Sequence, residues 1–305
     1  MYYFILNPSS HSQGKSDIWN TVAKILHQRE IQYKVFATRY PGHARELANT
    51  ISSRDPEAKI VGIGGDGTVH DIICGLENLS AVTFGLIPSG SGNDFAHGMH
   101  IPSDTEKALS AILDQEKIIK MDVGRMESGD SVLRFGVSCG IGFDASICHE
   151  ALASPIKDAL NGVGLGQLTY SSIAVKQLFL YEPGSISLEM DGGRKLSYPR
   201  AFFAAVMNQK YEGGGLMLTP DAKPNDRTLD VLVCGDMRRS EIMAMLPATY
   251  AGKHTFLKGV HILKCEKVKI TADRLRPTHL DGESGGVRRE ITVSLEPEQL
   301  RVITG

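Results

Sequence analysis

Apolar residues recur along the first part of the chain in two alternating rhythms. Short apolar runs at residues 2–6, 33–37, 59–63 and 82–87 read as strands. Between them lie stretches with helical spacing. Residues 17–28 carry Ile18, Val22, Ile25 and Leu26 on one face, and residues 43–52, 69–76 and 103–114 are further helices. Strand and helix in alternation imply a parallel sheet covered by helices. Beyond Asp122 the rhythm changes. Strand-like runs follow one another at residues 132–138, 185–190, 199–207, 228–233, 268–271 and 291–295. Two longer helices interrupt them, at residues 167–180 and 240–250. The reading is an α/β domain at residues 1–122 and a mainly antiparallel, β-rich domain at residues 123–296. A last strand near residues 298–303 could return to either.

Composition narrows the function classes. The 305 residues are 42% hydrophobic and 22% charged, which excludes disordered, collagen-like and coiled-coil chains. A formal net charge of −2 argues against a dedicated nucleic-acid binder, which shows a basic domain. The five cysteines, Cys74, Cys139, Cys148, Cys234 and Cys265, form no Cys-x-x-Cys pair. They read as reduced thiols of a cytoplasmic protein. The first residues lack a basic segment and read as no signal peptide. No apolar run reaches the 18 residues of a membrane span, so any membrane is expected to be met from the surface.

Glycine is in excess, 32 residues against the usual ~7%. Two clusters sit after strands and before helices: Gly64-Gly65-Asp66-Gly67-Thr68 and Gly90-Ser91-Gly92-Asn93-Asp94. Glycine lets the backbone turn its N–H groups toward an anion, and the following helix N-terminus favours phosphate. An Asp among anion-seeking amides calls for a metal, and Asp beside phosphate points to Mg²⁺. Each turn alone reads as a tight βα turn with a helix cap; the adjacent pair favours a phosphate site. Two strings are decoys. Ser9 to Ser16 imitates a P-loop but lacks its first glycine, although Lys15 could serve as a plain cation. Gly140-Ile-Gly142-Phe-Asp-Ala145 imitates a dinucleotide fingerprint without the acid-bearing strand that should follow.

Together with Asn7-Pro8-x-Ser10, Asp122-Val-Gly124, Gly213-Gly-Gly215, Pro220-Asp-Ala222, Asp226, Asp230 and Asp281-Gly282-Glu283, these strings resemble the diacylglycerol-kinase catalytic-domain family. The likeness is to soluble bacterial lipid kinases related to sphingosine and ceramide kinases, and it spans essentially the whole chain. It implies a nucleotide-binding domain like that of NAD kinase and phosphofructokinase, with the active site in the cleft between domains. It implies transfer of phosphate from MgATP to a lipid hydroxyl, with diacylglycerol as the expected acceptor. By that resemblance, nucleotide contacts fall on Asn7, Thr38, Gly64, Gly65, Asp66, Gly67, Thr68, Val69, His70, Asp71, Ser91 and Asn93. Asp66, Asp94 and Asp122 would surround the catalytic Mg²⁺. Glu283 would be the general base, with Asp281 beside it. A structural Mg²⁺ would be held by Asp226 and the backbone carbonyls of Lys223 and Thr228. The lipid would enter near Gly213 to Gly215.

Five positions depart from the family pattern: Ser91 for threonine, His70-Asp71 for Asn-Glu, His11 for glycine, and Arg227 for glycine. The last weakens the case for the structural ion. The alternatives are a soluble-metabolite kinase of the NAD-kinase type and a non-catalytic nucleotide or lipid binder. The expected partner is a membrane lipid, with peripheral contact; no nucleic acid is expected, and a homodimer is left open. Residues 154–181 mix glycines with Leu160, Leu165, Leu168, Ile173, Val175, Leu178 and Phe179, and read either as a core-facing helix or as a lipid-touching face.

Overall fold

A computed structural model describes residues 1–8, 18–115, 117–153 and 166–305. The first unit is a six-stranded sheet in the order β2 (Tyr33–Ala37), β1 (Tyr2–Leu6), β3 (Lys59–Gly64), β4 (Thr83–Pro88), β17 (Leu300–Thr304) and β5 (Lys117–Met121). All neighbours pair in parallel except β17 and β5. Helices cover both faces, which is why β3 and β4 carry apolar residues without alternation. On one face, α1 (Ile18–Gln28) and α5 (Thr105–Asp114) bury Val22, Leu26, Leu109 and Ile112 against Phe4, Ile63 and Ile87. On the other, α2 (His43–Arg54) and α3 (Asp66–Gly75) bury Ile51, Ile72 and Ile73 against Ile60 and Phe84. A side chain of this size contributes about 1.5–3 kcal/mol when fully buried. Capping is also local: Asp104 accepts from Lys107 N–H to open α5.

The second unit is an antiparallel nine-stranded sheet. Its order is β14 (Val260–Cys265), β13 (Leu229–Gly235), β10 (Arg194–Met207), β8 (Ser138–Gly142), β15 (Lys267–Leu280), β16 (Glu283–Leu295), β6 (Gly124–Ser128) and β7 (Ser131–Phe135). β9 (Gly184–Met190) pairs with both β10 and β15. Helices α6 (Phe143–Ala153), α7 (Gly166–Leu180) and α8 (Arg239–Thr249) lie with it, and a separate two-stranded flap joins β11 (Tyr211–Glu212) to β12 (Leu216–Met217). The molecule is thus a parallel-sheet α/β domain followed by a β-rich antiparallel domain. The short α4 (Asp94–Gly98) packs against the flap, where the His97 and Tyr211 rings stack 4.0 Å apart.

Two details differ from the apolar pattern. The run at 132–138 is two strands, because the chain turns at Gly136 and Val137 between β7 and β8. Strands β5, β6 and β14 and helix α6 were not expected. Their apolar residues are diluted by Lys, Arg, Glu and Ser, so neither period stands out.

Candidate active site

Chain order reverses between β1 and β3, so a crevice opens beyond their carboxyl ends. Asn7 follows β1 and Gly65 follows β3. Asn7 donates from Nδ2 to Thr68 Oγ1 at 3.2 Å, and its backbone N–H bonds to Ile63 at 3.0 Å. Thr38 ends β2 beside them, its N–H bonded to Leu6 at 2.8 Å. The two glycine loops touch backbone to backbone. A Cβ on Gly90 would lie 2.7 Å from the Gly65 Cα, closer than such atoms approach. Asn93 closes the second loop: its Oδ1 accepts from Gly90 N–H at 3.0 Å, and its Nδ2 donates to Gly90 O at 2.9 Å. Gly64 must be bare because a Cβ there would lie 2.3 Å from Thr68 Oγ1.

Two carboxylates sit on this platform. Asp66 starts α3 and accepts from Phe95 N–H at 3.0 Å. Asp94 starts α4 and accepts from Gly214 and Gly215 N–H at 2.8 and 2.7 Å, which ties it to the flap. Gly92 separates them: a Cβ there would lie 3.1 Å from Asp66 Oδ2 and 3.7 Å from Asp94 Oδ2. Burial raises both pKa values, and the Asp66 charge helps push Asp94 up to about 7. Asp94 is buried and Asp66 partly so, and among the described residues neither has a basic partner, an arrangement that fits a divalent cation.

The second domain delivers Asp281 and Glu283 on the tip of the β15–β16 hairpin. Asp281 is a positioning residue. Its carboxylate accepts from the N–H groups of Gly136, Val137 and Ser138 at 2.9, 2.7 and 3.0 Å, and pairs with His70 Nδ1 at 2.9 Å. Burial alone would lower the His70 pKa, but the Asp281 hydrogen bond and charge raise it to about 10. Glu283 then reaches the first turn of α3. A Cβ on Gly67 would lie 2.8 Å from Glu283 Oε1, so this glycine makes room for the carboxylate next to Asp66.

Other candidates lie elsewhere. Val69 is packed in the core and His70 faces Asp281, so neither side chain opens to the loops. Asp71 lies 3.7 Å from Arg45. Ser91 is exposed beside the second loop. Asp122 is fully buried. It accepts from Arg227 N–H at 2.8 Å, Arg227 Nη1 at 3.0 Å and Gln299 Nε2 at 2.9 Å, so its charge is answered within the chain. Asp226 Oδ1 accepts from Thr228 N–H and Oγ1 at 3.1 and 2.7 Å, and its Oδ2 lies 3.4 Å from Lys264 Nζ. Lys264 also reaches Asp230 at 3.4 Å. Asp226 is exposed, and its two oxygens are shared between Thr228 and Lys264, so a metal held beside the Lys223 and Thr228 carbonyls would have to compete with the Lys264 ammonium. Lys15 and the Ser9–Ser16 string lie outside the described residues, as do Leu160 and Leu165.

One group was missed by sequence reasoning. His279 Nε2 lies 3.2 Å from Asp144 Oδ2 and 3.1 Å from Glu212 Oε1. The signal was the decoy Gly140-x-Gly142: a Cβ on Gly140 would lie 2.1 Å from Asp144 Oδ2 and 2.2 Å from His279 Nε2.

Residues 1–126 match the diacylglycerol kinase catalytic domain, and residues 139–304 match the YegS C-terminal NAD kinase beta sandwich-like domain. The chain belongs to the diacylglycerol kinase-like family of bacterial lipid kinases. It is 26% identical to the diacylglycerol kinase of Bacillus subtilis (strain 168), over 93% of this chain and 89% of that one. It is 31% identical to "Probable lipid kinase YegS-like" of Chromohalobacter salexigens, over 74% and 70%. A diacylglycerol kinase structure from Bacillus anthracis str. Sterne shares the fold at 20% identity and a TM-score of 0.74, covering 100% of this chain and 96% of that one. An Archaeoglobus fulgidus NAD kinase, solved with ATP, shares it at 14% identity and a TM-score of 0.55, covering 100% and 94%.

Proposed function

We propose that the protein transfers the γ-phosphate of MgATP to a primary hydroxyl of a lipid, of which diacylglycerol is the simplest acceptor. The observation that carries this is the seating of Glu283 against Gly67, next to Asp66 and over the two abutting glycine loops. Phosphoryl transfer asks for positioning, charge neutralisation and a base at the nucleophile. The N–H-rich turns beyond β3 and β4, with Asn7 and Thr68, take the nucleotide phosphates. Asp66 and Asp94 would hold Mg²⁺, which would supply charge neutralisation at the phosphates. Glu283 accepts the proton of the lipid hydroxyl as that oxygen bonds to the γ-phosphorus. The bond from phosphorus to the ADP oxygen breaks, and ADP leaves with the electron pair. Asp281 fixes the hairpin through His70 and three backbone amides.

A lipid acceptor is favoured over a soluble metabolite by α7. Its Leu178 is buried, whereas Phe179 and Leu180 keep 62% and 64% of their surface exposed. No helix among the described residues is long and apolar enough to cross a membrane, so contact through this face would be peripheral. The test is incubation with labelled ATP, Mg²⁺ and a lipid panel in detergent micelles. Label in lipid that disappears in Glu283→Ala is expected; no labelled lipid, or equal label in that variant, sinks the reading.

A further inference from the structure

The flap is too small to hold itself in place. Its strands β11 and β12 have two residues each. The turn between them, Gly213-Gly214-Gly215, runs at φ of 67°, 84° and 99°, left-handed backbone that glycine enters without strain and leaves as easily. An isolated two-stranded hairpin is marginal at best, so the flap takes its position from what it touches. On one side it meets the first domain. Gly214 and Gly215 N–H bind Asp94, and Tyr211 stacks on His97 of α4. On the other side it meets the second domain through Glu212, whose Oε1 lies 3.1 Å from His279 Nε2.

His279 is fully buried near the end of β15, on the same hairpin as Asp281 and Glu283. Gly282 N–H points at His279 Nδ1 from 3.3 Å, so Nε2 carries a ring proton whether the imidazole is neutral or charged. That one N–H is shared between Glu212 Oε1 and Asp144 Oδ2, the latter at 3.2 Å. Asp144 alone would satisfy the Nε2–H of a buried histidine. A second carboxylate taken out of water is a net cost unless it holds something in place. Glu212 is therefore accounted for by its position on the flap, not by the needs of the imidazole. It directly precedes the glycine turn that holds Asp94. An unbroken series of contacts thus runs from Asp94 through the flap amides, Glu212 and His279 to the hairpin that carries Glu283.

We propose that Glu212 and His279 are a positioning pair, which ties the flap to the β15–β16 hairpin and so fixes Asp94 and Glu283 relative to each other across the cleft. This rests on the lipid-kinase reading and adds to it two residues that act through others. Phosphoryl transfer gains mostly from positioning, and a displacement of about 1 Å can cost ~10²-fold in rate. A loosened flap leaves ATP its two glycine loops, so the loss should fall on kcat and not on the KM for ATP.

The test compares the full wild-type chain with Glu212→Ala, His279→Leu, the double variant, and His279→Gln, whose amide N–H can stand where Nε2–H stood. With MgATP and the best acceptor of the lipid panel, each of the first two variants should lose about tenfold or more in kcat, with the KM for ATP within about threefold of wild type. The double variant should lose no more than the worse single one, and His279→Gln should recover most of the loss. A second readout needs no turnover. By NMR, the Gly214 and Gly215 amides should exchange with solvent about tenfold faster or more in Glu212→Ala and His279→Leu, while Val137 and Ser138, held by Asp281, keep their rates. Additive losses in the double variant, a wild-type kcat in either folded single variant, or unchanged exchange at Gly214 and Gly215 each overturn the pair. A wild type that phosphorylates no lipid sinks the kinase reading, and the exchange rates then decide the pair by themselves. If His279→Leu does not fold, Glu212→Ala is set against His279→Gln: loss and faster exchange in the first but not in the second supports the pair, and any other pattern overturns it.

Discussion

Glu283 meets α3 at the one residue of that turn with no side chain, and the proposed chemistry turns on this contact. Glu283→Gln keeps the shape and removes the base. We expect kcat to fall about 10²–10⁴-fold with an unchanged circular dichroism spectrum; a fall under tenfold would leave Glu283 without that role. Asp281 is the opposite case, a carboxylate spent on architecture. Its partner His70 has a folded pKa near 10, above the ordinary 6.5. The stabilisation is therefore complete below about pH 6.5 and is lost as pH rises through 10. Urea midpoints of the native protein should decline from pH 7 to 10, and His70→Asn should flatten that decline while costing about 3 kcal/mol at neutral pH. The same slope in both proteins would mean that another group titrates. At this scale the sequence was legible where function clusters locally, as in Gly64 to Thr68 and Asp281 to Glu283. It was not legible for Asp144, Glu212 and His279, because only tertiary folding brings positions that far apart into contact. Nor could a motif show that His70 belongs to Asp281, since the helix face that carries it is fixed by packing.

Elements show why the loops need glycine and where the apolar pattern loses detail. The Gly65–Gly90 contact sets the spacing of the two phosphate-type turns. Gly90→Ala adds a methyl 2.7 Å from the Gly65 Cα, where backbone, not a flexible side chain, has to yield. We expect the KM for ATP to rise at least tenfold, with a stability loss of about 1–3 kcal/mol; unchanged nucleotide kinetics would show that the turns do not meet the phosphates. Residues 132–138 looked like one strand because apolarity continues through them. The break at Gly136 and Val137 is imposed by Asp281, which draws three successive N–H groups to itself. Helix α7 divides the two readings of its segment. Ile173, Ala174 and Leu178 are buried, and Val175, Phe179 and Leu180 are exposed. Replacing Phe179 and Leu180 together by Ser should weaken sedimentation with lipid vesicles and leave Tm within a few degrees. Equal sedimentation would return these side chains to the ordinary scatter of exposed apolar residues.

For the molecule as a whole, alternating and then consecutive strands in the sequence disclosed two architectures, but not how the chain ties them together. Residues 298–303 had a strand's apolarity with nothing to say which sheet they join, because pairing partners are a tertiary choice. In the structure β17 enters the first sheet between β4 and β5, parallel to one and antiparallel to the other. β5 is the edge strand and is joined to the sheet through β17. Leu300 and Val302 are fully buried and Ile303 nearly so. At about 1.5–3 kcal/mol per side chain, those three together amount to roughly 5–9 kcal/mol, which is comparable to the whole stability of a domain. The nucleotide-type domain is therefore completed only when the last residues of the chain return to it, after the second domain has been made. A fragment of residues 1–122 should show no cooperative thermal transition by itself. Adding a peptide of residues 297–305 should restore one whose midpoint rises with peptide concentration, because binding to the folded state alone shifts the equilibrium by mass action. A fragment that melts cooperatively without the peptide, at a midpoint the peptide does not move, would show that β1 to β4 suffice and that β17 is only an attachment.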